Sequence, residues 1–315
     1  MRHSSATVAL LASAVIGGLG LTPVAAHAQS APPVARAAWI KSCKETPCGR
    51  WQLVLRDGRT VPVRDAAATK PRSEEPGAFA ISANGRVLAY ERTGDHRVVV
   101  QRVGGGRLRE LPKISGDYGL TLSPEGGKLL IDYFDEPERR PSKVITVATG
   151  RTTTLPAAET PYGFSADGDE VLTTRRQADN TTAMYARGLE GGTLRQTPPQ
   201  VVAGALTFAL AADGKTVAVF TSGDAETRRP PRVRTYDLET GALSEAADLP
   251  FKTEAPPDVA VWDADGRLTV TERVGEDGEP TVVRVLTVDP ASGAATQSDR
   301  YRLTKSRYGA VMAGE

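Results

Sequence analysis

The chain has 315 residues, of which 24% are charged and 5% aromatic. Its 39 Lys and Arg residues nearly balance 38 Asp and Glu residues, so the formal net charge is +1. This balance excludes a broad basic field that would attract nucleic acid or an anionic membrane surface, and the length is ordinary for one closed all-β domain.

Residues 1–28 have the pattern of a secretory signal peptide. Basic residues precede a mostly apolar stretch, and a small-residue cleavage pattern ends at Ala28. The apolar stretch is short and is soon followed by Pro23, so it does not resemble a membrane anchor, and no cysteine marks a lipoprotein. We therefore expect a secreted or extracytoplasmic, soluble protein without a membrane span. It would start near Gln29 with a short linker over 29–37.

Both cysteines fall in the short segment CKETPC, as Cys43 and Cys48. In an exported chain an oxidising compartment favours a disulfide, and the proline-containing spacer suits the tip of a β-hairpin. A structural zinc site is the alternative, but it needs four ligands, and His96 is the single histidine after residue 28. The pattern therefore predicts a Cys43–Cys48 disulfide and no metal site.

Five segments share an apolar residue, a small residue and then an acidic residue or Asn before Gly. They are ISANG, LSPEGG, FSADG, LAADG and WDADG. Short β-favouring runs flank each of them, and Asp or Asn before Gly suits a tight hairpin. The turn glycines are placed at Gly85, Gly127, Gly168, Gly214 and Gly266, which lie 41 to 52 residues apart. This period is that of a four-stranded propeller blade.

The second half of each repeat is an apolar strand that ends in a glycine turn, and it occurs six times. The extra copy is at the N-terminus, so one unit there lacks its first strand. Residues 308–315 (YGAVMAGE) match residues 118–125 (YGLTLSPE) in register at Tyr, Gly and Glu. We therefore expect the C-terminal strand to complete the N-terminal unit, which would leave no open sheet edge at the join.

These observations predict an all-β fold, a six-bladed β-propeller over residues 38–315. Five blades are expected near residues 77–113, 118–156, 160–198, 205–250 and 257–303. The closing blade is expected to combine residues 38–65 with residues 306–315.

The turns and the strands after them resemble the β-propeller repeats of TolB and related WD-like propellers. The resemblance covers roughly Ala38 to Glu315. It implies the propeller fold alone, because the chain has no room for the α/β domain that precedes the propeller in TolB. A role in the Tol system is therefore not implied.

Enzymatic propellers of the lactonase type hold a metal with acidic and amide side chains around the central tunnel. The residues expected to open the six inner strands are Gly77, Tyr118, Thr160, Leu206, Asp258 and Tyr308. A single carboxylate is a poor cage for calcium or zinc, and Asp258 is better explained as a strand-start or turn residue. The scarcity of histidines argues against a Ser-His-Asp triad, so we assign no catalytic residue and no cofactor.

Long, charged loops link the second and third strands of the expected blades, on the face where propellers commonly bind partners. Two of these loops share a Glu-Arg-Arg-Pro pattern or a close form of it, and arginine forks suit carboxylate or phosphate groups. The alternative is that these arginines pair with neighbouring acidic residues in ordinary solvated loops. Two tyrosines at the tunnel mouth could anchor a ligand or fill the space between strands. The candidate ligand-binding residues are Arg139, Arg140, Arg228, Arg229, Tyr118 and Tyr308.

We interpret the protein as a secreted, monomeric, non-enzymatic binding or scaffold module. Its expected partner is a protein, a peptide or a cell-envelope ligand on the loop-bearing face. The alternative is a propeller hydrolase or lyase with an active site at the tunnel mouth. A binder needs only shape and a few polar groups there, whereas an enzyme needs converging titratable residues.

Overall fold

The structure is a computed structural model that describes residues 32–71, 73–134, 140–275 and 281–315. The expected signal peptide, residues 1–28, lies outside these ranges. The first strand, β1, begins at Ala35, inside the expected linker. Within the described ranges, no helix has the length and apolar character needed to cross a bilayer.

Six antiparallel four-stranded sheets make up the described chain, and each is one blade. The closing blade contains β1 (Ala35–Cys43), β2 (Thr46–Leu55), β3 (Thr60–Pro62) and β24 (Arg307–Met312). Blade 1 contains β4 (Phe79–Ile81), β5 (Val87–Glu91), β6 (Val98–Arg102) and β7 (Arg109–Glu110). Blade 2 contains β8 (Tyr118–Leu122), β9 (Lys128–Tyr133), β10 (Lys143–Thr146) and β11 (Thr152–Thr154).

The remaining three blades follow in chain order. Blade 3 contains β12 (Thr160–Phe164), β13 (Glu170–Arg176), β14 (Thr182–Gly188) and β15 (Thr193–Gln196). The short helix α1 (Gln200–Ala203) precedes blade 4, which contains β16 (Thr207–Leu210), β17 (Thr216–Thr221), β18 (Arg232–Asp237) and β19 (Ala247–Asp248). Blade 5 contains β20 (Val259–Trp262), β21 (Leu268–Val274), β22 (Thr281–Val288) and β23 (Ala295–Leu303).

The turns between first and second strands explain the sequence repeat. In blade 1 the amide of Gly85 donates to the carbonyl of Ser82, and Gly85 has φ of +69°, which favours glycine. Blade 2 corrects the sequence assignment. There the turn glycine is Gly126, with φ of +74° and a hydrogen bond to Ser123, and not Gly127. In both turns the glycine lies three residues after the serine whose carbonyl it binds, so the position of the serine identifies the turn glycine.

The ring closes through the two ends of the described chain. Strand β24 pairs with β1, with Met312 opposite Ala37 and Ala310 opposite Trp39. The closing blade therefore takes its inner strand from one end of the chain and its other three strands from the opposite end. The predicted six-bladed propeller and its closure by the C-terminal strand are confirmed.

The hairpin between β1 and β2 carries the predicted disulfide. Cys43 and Cys48 are bonded, with their Cα atoms 5.8 Å apart. The two residues of the turn, Lys44 and Glu45, have φ of 51° and 66°. These values belong to the type of hairpin turn that normally uses Asn-Gly. The disulfide prediction is confirmed.

Apolar layers between neighbouring blades form the core, with one buried cluster at each of the six junctions. Neighbouring strands run in opposite directions in every sheet. The loops between second and third strands therefore lie at the end of the ring where the inner strands begin. The connections between blades lie there as well. We call this end the loop face, and the opposite end, with the turns between first and second strands, the turn face.

Candidate functional site

The inner strands line a central channel that opens on the loop face. Two adjoining cavities occupy it, of about 440 Å³ and 200 Å³. Both are lined by Thr121 of β8, Tyr162 of β12 and Glu315, so they lie side by side. Their combined size is typical of a site that can accept a small molecule or a side chain of a partner.

Exposed large apolar side chains of the described chain lie in the channel or on the loop face. There are five of them: Phe134 (51% exposed), Tyr162 (41%), Val201 (41%), Leu206 (72%) and Tyr308 (41%). Phe134, Tyr162 and Leu206 line the channel cavities. Tyr308 belongs to the inner strand β24, and Val201 lies in the connection between blades 3 and 4. Exposed apolar residues scattered singly need no explanation, but these share one end of the ring, which makes that end a candidate interaction surface.

The neighbours of these side chains fix their positions. The ring of Tyr162 meets Phe208 of β16 edge to face, with the ring centres 4.7 Å apart. The amide of Phe134 donates a 3.0 Å hydrogen bond to the carbonyl of Asp117. The ring of Phe134 lies over Gly119, where a side chain would meet it at about 3.0 Å. Glycine at position 119 therefore provides the room for Phe134 beside the channel.

Charged groups near the mouth are paired with one another. The Nζ atom of Lys70 contacts Asp117 and lies 2.7 Å from a carboxylate oxygen of Glu75. Burial alone would lower the pKa of Lys70, but these two hydrogen bonds outweigh it and raise the pKa. Asp258 accepts 2.7 Å and 2.8 Å hydrogen bonds from the side chain and the amide of Arg273. The Asp258–Arg273 pair thus adds no net charge, whereas Lys70 with its two carboxylates leaves one net negative charge beside the channel.

Three buried carboxylates hold the loop face together. Glu272 is 2% exposed and accepts hydrogen bonds from the amides of Lys252 and Thr253 and from Arg284. Glu159, also 2% exposed, accepts from side chains of blade 3, those of Thr173 and Arg187. The third, Glu91, lies 2.6 Å from the ring of His96. Glu159 and Glu272 each tie a connection between blades to the strands beside it, which is a structural role.

His96 has a role that the sequence did not indicate. Its Nδ1 atom lies 2.6 Å from Oε1 of Glu91, a residue that is 2% exposed. From the sequence, His96 entered only as the single histidine available to a zinc site. A buried carboxylate without a partner is costly, so the histidine compensates for the burial of Glu91.

The candidate arginines have different surroundings. Arg140 donates a 2.6 Å hydrogen bond to the carbonyl of Ser115, and its guanidinium lies 4.1 Å from the centre of the Tyr133 ring. Arg228 and Arg229 are exposed, and the structure shows no ion pair between either of them and another described residue. Arg139 lies outside the described residues. Ligand binding by these arginines stays a prediction.

The two candidate tyrosines also differ. Tyr118 is 5% exposed and packs in the layer between blades 1 and 2, and burial raises the pKa of its phenol. This position suits the space-filling alternative, although the residue lines the larger cavity. Tyr308 is 41% exposed, as an anchoring residue would be. A ligand-binding role for either tyrosine stays a prediction.

Strained backbone is also concentrated on the loop face. Five non-glycine residues among those described have positive φ: Lys44, Glu45, His96, Asn180 and Arg228. All five lie in loops between second and third strands. Such conformations cost free energy and are frequent at functional sites. Nothing on the turn face of the described chain matches this feature.

In the part of the chain that the structure describes, no group of three or more His, Cys, Asp or Glu side chains is arranged to hold a metal ion.

Solved structures of other proteins share this architecture. TolB from Acinetobacter baumannii matches with a TM-score of 0.54 and 16% identity over 89% of this chain and 66% of that chain. A chain of a nidogen/laminin complex matches with a TM-score of 0.50 and 10% identity over 89% of this chain and 98% of that chain. The chain has the TolB-like propeller fold. At 66% coverage, the chain spans slightly less than two thirds of the length of the A. baumannii protein.

Comparison by sequence identifies no relative. No protein-family model matches the chain, and no curated protein matches it. At 10% and 16% identity the two structural matches establish the fold alone. The resemblance to TolB-like propellers that the turns predicted is confirmed at that level.

The sequence analysis missed the exposed apolar residues at the channel mouth. Leu206 was placed correctly at the start of an inner strand, but was considered only as a residue that could not bind metal. Phe134 directly follows β9 and Tyr162 lies in the middle of β12, and neither was considered as a binding residue. For Phe134 the available signal was its position, an aromatic residue directly after a strand that ends at the loop face.

Proposed function

We propose that the protein is an exported, non-enzymatic binding module that engages a protein partner with its loop face. The observation that carries the proposal is the restriction of the exposed large apolar side chains of the described chain to that face. Tyrosine and phenylalanine are prominent among residues that anchor protein interfaces, because they bury a large area at a small entropic cost.

Two further features support this proposal. The strained non-glycine residues lie on the same face as the exposed apolar residues. The channel below them has room for an apolar side chain of the partner, in a cavity of about 440 Å³. One of the similar folds belongs to a complex of nidogen and laminin, which illustrates that a propeller of this shape can occur in a protein complex.

Export is part of the proposal and is supported by the Cys43–Cys48 disulfide. Disulfides persist in oxidising compartments and are rare in the cytosol. The signal-peptide pattern over residues 1–28 points the same way.

The alternative of a hydrolase or lyase receives less support. It would use Asp258 at the channel mouth, but both oxygens of that carboxylate accept hydrogen bonds from Arg273. This ion pair accounts for Asp258 as a structural residue, and no second titratable side chain is paired with it as an acid–base partner among the described residues.

The test compares partner capture by three forms of the protein. Wild type, the double variant Tyr162→Ser/Leu206→Ser and the control Glu245→Ser are immobilised and exposed to an envelope extract. Glu245 is exposed and lies between β18 and β19, on the turn face, so its change leaves the channel mouth intact. Captured proteins are compared by quantitative mass spectrometry.

The proposal expects one or a few proteins to be captured by wild type and by the control, and lost with the double variant. Loss of two apolar anchors from an interface centre commonly weakens binding by about 2 kcal/mol or more. Equal capture by all three forms would refute the loop face as the binding surface. Thermal melts of the three forms establish that the variant is folded.

A further inference from the structure

A second cavity lies at the opposite end of the ring, where blade 5 meets the closing blade. Its volume is about 630 Å³. One wall is a face of β21, β22 and β23, and the opposite wall includes Ala35 and Arg36 of β1 and Arg56, which follows β2. The turns between first and second strands of blades 1, 2 and 3 border the cavity on the turn face. We call this space the seam cleft.

One threonine replaces an apolar residue on the wall formed by blade 5. In each of the five hairpins between first and second strands, one carbonyl accepts the hydrogen bond that closes the turn. It belongs to Val87 in blade 1 and to Arg267 in blade 5. Two residues after this carbonyl, blades 1 to 4 have apolar residues that are at most 2% exposed: Ala89, Leu130, Leu172 and Ala218. Blade 5 has Thr269 at this position, half-buried, so Thr269 is a departure from the repeat.

The hydroxyl groups of this wall have unused hydrogen-bonding capacity. Thr269 lies directly opposite Thr287 in the β21–β22 ladder, and Thr271 follows two residues along the same face. The structure shows no hydrogen bond from these three hydroxyls to any described residue. Thr271 as a whole is 6% exposed, and it lines the cleft. Hydroxyls that face an open cleft without a protein partner are free to bond to a ligand or to water.

An ion pair across the seam shapes the other side of the cleft. Arg36 is the extra residue of a β-bulge between Ala35 and Ala37, and bulges commonly redirect a side chain. Its Nη2 atom donates a 2.9 Å hydrogen bond to Asp299 of β23, and its guanidinium lies 5.5 Å from the centre of the Tyr301 ring. Arg36 and Asp299 are each 18% exposed, so the pair is held in place.

The charges that line the cleft balance. Three arginines, Arg36, Arg56 and Arg267, face three carboxylates, Glu125, Asp263 and Asp299. Two of the arginines are already paired, Arg36 with Asp299 and Arg267 with Asp263. A cleft of this composition has no net attraction for an anion. It offers donors and acceptors side by side, which suits a ligand whose groups both donate and accept.

We propose that the seam cleft binds a neutral polyhydroxylated small molecule, such as a monosaccharide or a disaccharide. Ligand hydroxyls would donate to Asp299 and Asp263 and accept from Arg56 and the threonine hydroxyls. Trp262 and Tyr301, which also line the cleft, provide apolar surface for the C–H groups of a sugar ring. The volume lies within the range of small-molecule sites.

The test uses D-glucose, N-acetyl-D-glucosamine and maltose as probes, with glucose 6-phosphate as a charged counterpart. Each is titrated into ¹⁵N-labelled protein while backbone amide shifts are recorded. We expect at least one neutral probe to bind with a Kd of roughly 1 mM or below and to shift amides of Thr269, Thr287 and Asp299. The proposal is overturned if no neutral probe gives saturable shifts, if the shifts map to the loop face, or if glucose 6-phosphate binds more tightly.

Variants separate recognition from folding. Thr269→Leu reproduces the residue of blades 2 and 3 and fills the cleft, so it should weaken sugar binding at least about tenfold without lowering the melting temperature. Thr287→Val removes one hydroxyl at constant volume and should also weaken binding. The matched control is Thr235→Val, at the equivalent position of blade 4, which should leave binding unchanged. Equal affinity in Thr287→Val and Thr235→Val would refute the role of the cleft hydroxyls.

Discussion

Met312 of β24 lies opposite Ala37 of β1, and the two residues are 1% and 0% exposed. Both belong to the apolar layer between the closing blade and blade 5. This pair belongs to the ladder that joins the last strand to the first, and it packs the junction where the ring closes. A change at Met312 therefore tests the closure directly.

Truncation after Arg307 should strongly destabilise the protein and cause it to aggregate. The deletion removes most of β24 and leaves the edge of β1 free to pair with other chains. Size-exclusion chromatography and thermal melting measure the effect. A truncated protein that stays monomeric and melts within about two degrees of wild type would contradict the proposed closure.

Point changes at Met312 make this first prediction sharper. Met312→Ala should lower the free energy of unfolding by about 2 to 5 kcal/mol, because it leaves a cavity in a packed layer. Met312→Asp should lower it further, since it buries a charge. Met312→Leu keeps the volume and should cost less than about 1.5 kcal/mol. Urea denaturation measures all three variants.

The disulfide-bonded hairpin between β1 and β2 gives the second prediction. Replacing Cys43 and Cys48 by Ala should lower the free energy of unfolding by roughly 2 kcal/mol, the chain-entropy cost of opening so short a loop. Lys44→Asn/Glu45→Gly should recover part of that loss, because Asn-Gly suits positive φ at both turn positions. Denaturation of the three forms under one set of conditions measures this. If the cysteine variant loses the same free energy of unfolding with and without the Asn-Gly turn, Lys44 and Glu45 are not strained.

The Glu91–His96 pair gives the third prediction. His96→Ala should lower the free energy of unfolding by about 1 to 3 kcal/mol, because it leaves a buried carboxylate without its hydrogen bond. Adding Glu91→Gln to this variant should restore part of the stability, since an amide is less costly to bury than a charge. The control is Thr93→Ala, which changes an exposed residue of the same loop. Equal stability of His96→Ala and wild type would show that the pair is dispensable.

Glu170 gives a prediction about pH. Burial, together with the nearby charges of Asp167 and Asp169, raises the pKa of the Glu170 carboxyl above its usual 4.5. The folded protein therefore holds this proton more tightly than the unfolded chain does, and ionisation of Glu170 costs stability as the pH rises through and above that value. Glu170→Gln should consequently raise the melting temperature at pH 7.

The pH dependence distinguishes this cause from a packing effect. The advantage of Glu170→Gln should shrink as the pH falls below the usual pKa of a glutamate, because the wild-type carboxyl is then protonated in both states. Melting curves across this pH range measure it. A gain that is constant with pH would contradict the ionisation argument.

The exposed arginines give the fifth prediction. Arg228→Ala/Arg229→Ala should change the free energy of unfolding by less than about 1 kcal/mol, as is usual for exposed charges. It should weaken binding of an acidic partner on the loop face, and the difference should diminish at high salt. Arg300→Ala/Arg302→Ala, two exposed residues of β23, is the charge-matched control. Equal binding by both double variants would favour ordinary solvated loops.

The fold was predictable because its signals are local. A turn that needs positive φ at its glycine recurs in the sequence wherever the turn recurs in space, so the blades could be counted from the chain alone. The closure was predictable because β24 repeats the pattern of another inner strand. The same reasoning failed at one residue, Gly127, since a pair of adjacent glycines makes the spacing ambiguous until the hydrogen bond from Gly126 to Ser123 is known.

The candidate sites were decided by tertiary structure. Exposure of Phe134, Tyr162 and Leu206 depends on which neighbouring blades cover them, and no local pattern records that. The ion pair of Arg36 and Asp299 joins residues 263 positions apart, so it exists only because the ring closes. Sequence determined how many strands there are and how each turn is made, since these depend on adjacent residues. Packing between blades decided which side chains remain open to a partner, because that depends on residues brought together only by the folded ring.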